Sequence, residues 1–272
     1  MNISNVDKTV LLLALAASCP VAAMAADMTD SDRIAQYREM ISDGNPADFD
    51  EMNGAELWKK VAGPKKASLE KCDLGKGPGV VKGAYAELPR YFKDTQKVQD
   101  LESRLLTCMT TLQGIPEAEI TARPFSTDKK TSDISTLATY VVGQSKGVMM
   151  AVSLKDAHVK EAFEIGKRMF NYRAGPYDFA CSTCHATSHV RIRMQDLPNF
   201  DDKKDAQSAY TSWPAYRVSQ GLTRSFQWRL NDCFRQQRFP EPKFASEATV
   251  DLTTYLAASA NGAPYAGPGL KR

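Results

Sequence analysis

Residues Cys181-Ser182-Thr183-Cys184-His185 spell C-x-x-C-H, and no other segment constrains the chain as tightly. Two thiols at this spacing on a starting helical turn can add to the two vinyl groups of one porphyrin. The histidine that follows then points at the iron from the proximal side. Other readings of the spacing need more than the flanks supply. A redox dithiol of the thioredoxin kind wants a βαβ setting. A zinc site wants a second ligand pair of similar spacing. The expectation is one haem c, bonded to Cys181 and Cys184 and ligated by His185.

The N-terminus reads as an export signal over residues 1–25. Lys8 gives a basic start, Val10 to Ala17 is an apolar run, and Ala23-Met24-Ala25 places small residues where a signal peptidase reads them. The run is shorter than the roughly 20 residues a membrane helix needs. Ala17-Ser18-Cys19 resembles a lipidation site, but Ala16 and Pro20 fit that pattern poorly. Cleavage after Ala25 and a periplasmic location are expected, with no membrane span. A net charge of +3 is too near neutral to imply a nucleic-acid partner.

Export makes the cysteines informative, because disulfides persist outside the cytoplasm. Beyond Cys19 there remain Cys72, Cys108, Cys181, Cys184 and Cys233, an odd set. With two taken by haem, one disulfide plus one single thiol is the simplest partition. The second axial ligand is a separate question. His189 would share a helix face with His185, His158 sits in a helix ahead of the motif, and Met194 is close to the proximal side in sequence. Methionine is the common ligand in electron-transfer cytochromes. Cys233 is the other candidate, and its thiolate would lower the haem potential.

The chain also reads as two related halves. A helix over Gly54 to Val61 precedes Gly63-Pro64 and Cys72. A helix over Ala162 to Tyr172 precedes Gly175-Pro176 and the haem motif. Leu88-Pro89 and Phe92 resemble Leu197-Pro198 and Phe200. Arg104-Leu105 ahead of Cys108 resembles Arg229-Leu230 ahead of Cys233, and Leu137 to Tyr140 resembles Leu252 to Tyr255. Cys72 then falls at the haem position of the first half, but Asp73-Leu74-Gly75-Lys76 follows, so that half cannot attach haem in the usual way. A Cys72–Cys108 disulfide would join the two places a haem would bridge. The fold class expected is mainly α: two tandem cytochrome c-like domains, 26–145 without haem and 146–272 with it. Further helices are expected over Leu101 to Leu112 and Ser246 to Ser259. No strand or hairpin is expected, 113–130 reads as a polar connection, and 260–272 as a flexible Gly/Pro-rich tail.

Three segments resemble one known family: FACSTCH from Phe179, RLNDCFRQQRF from Arg229, and SLEKCDLGKGPGV from Ser68. The chain resembles SoxA, the larger subunit of the SoxAX cytochrome of thiosulfate oxidation, and the likeness spans the mature chain. Two-haem members carry a haem in each domain, whereas this sequence looks like the single-haem type with a disulfide in place of the first. The resemblance implies Cys233 as the distal iron ligand, found as a persulfide in the family, with Arg229 beside it in the active site. It implies oxidative coupling of thiosulfate to a cysteine of the SoxYZ carrier protein, an L-cysteine S-thiosulfotransferase activity, with electrons passing to cytochrome c and SoxX as heterodimer partner.

The residues fit this chemistry on their own terms. Arg224, Arg229, Arg235 and Arg238 surround Cys233 in sequence, and guanidinium forks suit a small oxyanion. Several of these would serve as solvated or interface residues, and Arg104, the counterpart of Arg229, suggests a partly structural role. Two alternatives differ in what they require. A plain electron-transfer cytochrome needs no Cys233 chemistry, and a tetrathionate-forming thiosulfate dehydrogenase needs no carrier protein. A purely structural subunit would not need the intact motif.

Overall fold

The computed structural model describes residues 44–127, 130–192 and 195–272. The signal segment, Cys19 and Met194 lie outside them. Nine α-helices dominate the described residues: α1 (Ala47–Lys59), α2 (Leu101–Cys108), α3 (Glu117–Thr121), α4 (Asp133–Gly143), α5 (Ala157–Asn171), α6 (Cys181–His185), α7 (Lys203–Thr211), α8 (Phe226–Gln236) and α9 (Glu247–Ser259). None is long and apolar enough to cross a membrane.

Two helix crossings organise the core. In α5 the buried residues Val159, Ala162, Gly166 and Phe170 follow helical spacing and form one apolar stripe. That stripe lies on α9, and Gly166 marks the closest approach. A Cβ there would run into the Asp251 carbonyl and come within 3.0 Å of Tyr255 Cβ. The earlier crossing of α1 on α4 repeats the device at Gly54, where a Cβ would meet the Thr136 carbonyl and Tyr140 Cβ. Trp58 packs on Tyr140 in the first crossing as Phe170 packs on Tyr255 in the second.

Short hairpins contradict the expectation of no strands. β1 (Arg90–Phe92) pairs with β2 (Lys97–Gln99), β3 (Arg191–Ile192) with β4 (Gln195–Asp196), and β5 (Ala215–Arg217) with β6 (Leu222–Arg224), all antiparallel. Strands of two or three residues are too short to show an alternating pattern. They also correct the internal match. Leu88-Pro89 leads into β1–β2 and α2, and Trp213-Pro214 leads into β5–β6 and α8. Pro89, Asp100, Arg104 and Cys108 therefore correspond at one constant offset to Pro214, Ser225, Arg229 and Cys233, and Leu197-Pro198 is no part of that series.

Residues 260–272 are not a loose tail. Tyr265 is fully buried, stands edge-on to Tyr85 and donates its hydroxyl to the Trp213 carbonyl at 3.2 Å. Beyond it β7 (Gly269–Lys271) runs parallel to β5. The glycines and prolines that suggested looseness let the chain turn between these anchors. The 113–130 stretch likewise holds α3, whose Ile120 is buried.

Candidate functional site

The local fold ahead of the CSTCH segment is a tight turn. Gly175 adopts a positive φ, and Ala174 and Phe179 bridge antiparallel across it. The chain then enters α6, whose five residues are the motif itself. Thr183 Oγ1 accepts from the Ala180 amide at 2.9 Å and fixes this first turn. His185 Nδ1 lies 2.9 Å from the Pro198 carbonyl and Phe200 N donates to the His185 carbonyl at 2.7 Å. Hydrogen bonding of Nδ1–H to that carbonyl leaves Nε2 as the nitrogen able to bind a metal. Phe200 stands edge-on to the imidazole and rests on Phe170 of α5. Burial depresses the His185 pKa, the Pro198 bond opposes this, and the Arg229 charge adds to the depression. Burial thus favours the neutral ring, the form in which imidazole binds iron.

The thiols fit covalent haem. Cys181, Cys184 and Cys233 are unpaired. Cys181 is pushed up to about 12, mainly by burial and then by the nearby Cys233. Burial raises Cys233 as well, with Arg229 the largest opposing influence and Arg217 a further one, while Asp232 and Cys184 push it upward. Cys233 of α8 thus shares one electrostatic neighbourhood with the motif. Among the described residues no three acidic, cysteine or histidine side chains converge tightly enough to cage a bare metal ion.

The first half fills the matching positions differently. Gly63-Pro64 corresponds to Gly175-Pro176, which sets Leu69 against Cys181, Cys72 against Cys184 and Asp73 against His185. Leu69 is fully buried, and Cys72 is bonded directly to Cys108 with Cα atoms 5.6 Å apart. Asp73 accepts from the Gly75 and Gly77 amides at 2.7 and 3.0 Å. Side chains and a disulfide occupy that core.

The arginines separate into distinct tasks. Arg224 is buried and spans from Gln220 to the carbonyls of Phe125 and Ser126, lying over Trp228. Arg235 and Arg238 are exposed, and Arg235 binds Asp232. Arg229 donates to Asp232 at 3.0 Å, keeps a quarter of its side chain exposed, and acts electrostatically on both Cys233 and His185. Its counterpart Arg104 is buried, bonded to the Asp73 carbonyl at 2.6 Å and to Asp94, and stacked 3.9 Å over Phe92. Arg217 was not singled out from the sequence. It ends β5 at the position Phe92 holds in β1, so a buried ring in one half is a cation in the other. His158 stacks on Tyr91 at 4.0 Å, and His189 is exposed at a positive φ.

Residues 53–150 match the family described as SoxA/TsdA, cytochrome c domain. The L-cysteine S-thiosulfotransferase subunit SoxA of Hydrogenophilus thermoluteolus is 48% identical over 98% of this chain and 99% of its own. The chain belongs to the SoxA family. A SoxA of Hydrogenobacter thermophilus is 32% identical over 84% of this chain and 82% of its own. The crystal structure of SoxXA from P. pantotrophus has the same fold at a TM-score of 0.72 and 22% identity, covering 87% of this chain and 84% of that one. The matched residues 53–150 lie ahead of the C-x-x-C-H segment, so that likeness rests on the helical frame of the first half and not on the motif.

Proposed function

We propose that this chain is the catalytic cytochrome subunit that joins thiosulfate to a cysteine of a SoxYZ carrier and passes two electrons to cytochrome c. The observation that carries the reading is Cys233: a single thiol under the influence of Arg229 and Arg217, placed against the haem-attachment segment. The naming of SoxA relatives as L-cysteine S-thiosulfotransferase subunits supports it. A sulfur–sulfur bond forms between the carrier thiol and the thiosulfate sulfane, one proton is released and two electrons leave.

One haem c bonded to Cys181 and Cys184 would supply the electron acceptor. His185, oriented by Pro198, and Cys233 would hold it. Arg229 and Arg217 would hold the dianion beside the Cys233 sulfur and stabilise negative charge as the new bond develops. Cys233 would act as a covalent sulfur relay, for which a persulfide is the fitting form. The finer organisation follows the same reading: a signal over 1–25, a haemless cytochrome c-like domain over 26–145 stapled by Cys72–Cys108, a haem-bearing domain over 146–272, a periplasmic location and a SoxX partner. Likeness to the SoxXA crystal structure supports the partner.

Replacing Cys233 with Ala is expected to abolish coupling while leaving covalent haem in place. Turnover with thiosulfate and carrier, together with intact and peptide mass spectrometry, checks both. Full activity in the variant would defeat the relay. Turnover on thiosulfate without carrier would favour a tetrathionate-forming dehydrogenase.

A further inference from the structure

The starts of α2 and α8 meet at the seam between the halves, and the polar groups there serve no step above. Asp100 caps α2, accepting from Ser103 N at 2.9 Å, and Ser225 caps α8, accepting from Trp228 N at 3.2 Å. The two helices then exchange bonds. Gln227 N, in the first turn of α8, donates to Glu102 Oε2 at 3.0 Å, and Gln227 Nε2 donates to Asp100 Oδ2 at 2.7 Å. Ala245 N closes the set by donating to Gln227 Oε1 at 2.8 Å. Asp100, Glu102, Ser225 and Gln227 are each less than a tenth exposed.

A helix start leaves amides without internal partners and carries positive partial charge, so an acid from outside is a strong anchor for it. Glu102 is that anchor for α8, and it comes from the half that lacks the haem motif. Burial raises both Asp100 and Glu102, and the Asp100 charge helps push Glu102 up to about 8. The other titratable groups facing the pair among the described residues are Tyr85 and Tyr210, both raised. A cavity of about 20 Å³ adjoins the pair, far too small for a substrate.

Arg229 and Cys233 follow on the first two turns of α8. We infer that Glu102 is a positioning residue for Cys233 and Arg229, holding the first turn of their helix through the Gln227 amide. This rests on reading Cys233 as the distal iron ligand.

The test uses the haem-loaded protein with its partner subunit and compares wild type with Glu102→Ala, Glu102→Gln and Leu137→Ala. Leu137 is buried in α4 and serves as a control for general destabilisation. Visible and electron paramagnetic resonance spectra read the distal sulfur, and hydrogen exchange reads the Gln227 amide. Removing the buried acceptor should speed that exchange and slow coupling by about tenfold or more, with a second ligation state in the spectra. Glutamine, the isostere of a protonated glutamate, should restore the wild-type spectrum, and Leu137→Ala should lower the melting temperature without altering ligation. If Glu102→Ala does not accumulate, Glu102→Asp withdraws the acceptor by one methylene and is expected to show the same change. Wild-type ligation in the alanine or aspartate variant, or an equal spectral change in Leu137→Ala, overturns the inference. A wild-type spectrum without sulfur ligation defeats the reading of the site itself.

Discussion

Arg104 and Arg229 hold one place in a repeated pattern, yet their surroundings differ. Arg104 is buried and fully engaged with Asp73, Asp94, Gln99 and the Phe92 face. Arg229 shares Asp232 with Arg235 and Gln236 and opposes the upward shift of the Cys233 thiol. Arg104→Gln is expected to lower stability by about 2–4 kcal/mol, because it strands buried acceptors. Arg229→Gln should leave the melting temperature nearly unchanged and reduce kcat/KM by about 100-fold. Thermal melts beside steady-state coupling rates separate the two, and equal stability losses with equal activities would contradict the division. The C-x-x-C-H segment stood out in the sequence because attachment to one porphyrin would fix its spacing. Arg217 did not, because its position shows only when Pro214, rather than Pro198, is aligned with Pro89.

At the scale of elements, the long helices were legible and the short strands were not. Apolar stripes such as Val159, Ala162, Gly166 and Phe170 declare a packed helix face. A three-residue strand is specified by its hairpin partner and by neighbours distant in sequence, as the parallel pairing of β5 with β7 shows. The glycines at the crossings carry meaning that composition hides. Gly166→Ala would drive a methyl into the Asp251 carbonyl, which is backbone and cannot swing aside. The α5–α9 crossing must therefore open, despite the gain of roughly 1 kcal/mol in helix propensity. Overpacking of this kind costs about 1–3 kcal/mol, and Phe170, which backs Phe200 and through it His185, moves with α5. The variant should melt lower and show a perturbed haem spectrum, whereas Gly44→Ala, where a Cβ meets nothing within 4 Å, should do neither.

For the molecule as a whole, the seam decides whether the first half is a spectator. Buried contacts cross it at several points: Gln227 to Asp100 and Glu102, Arg224 to Phe125 and Ser126, Tyr85 to Tyr265 and Tyr210, and Asn45 to the Pro268 carbonyl. Neither half can unfold without stranding polar groups of the other, so the two should melt together. The disulfide offers a local way to test this. Cys72 and Cys108 are separated by 36 residues, and freeing a loop of that size restores chain entropy worth about 4 kcal/mol. At roughly 2–4 °C per kcal/mol for a chain of this size, a Cys72→Ser/Cys108→Ser variant should melt about 8–16 °C lower. The bond lies wholly in the first half, yet the haem absorbance should shift by the same amount as the far-ultraviolet circular dichroism. Coincident transitions at the lower temperature are the expected result. A haem transition left at the wild-type temperature would mean that the second half stands alone, and that the seam positions α8 without stabilising it.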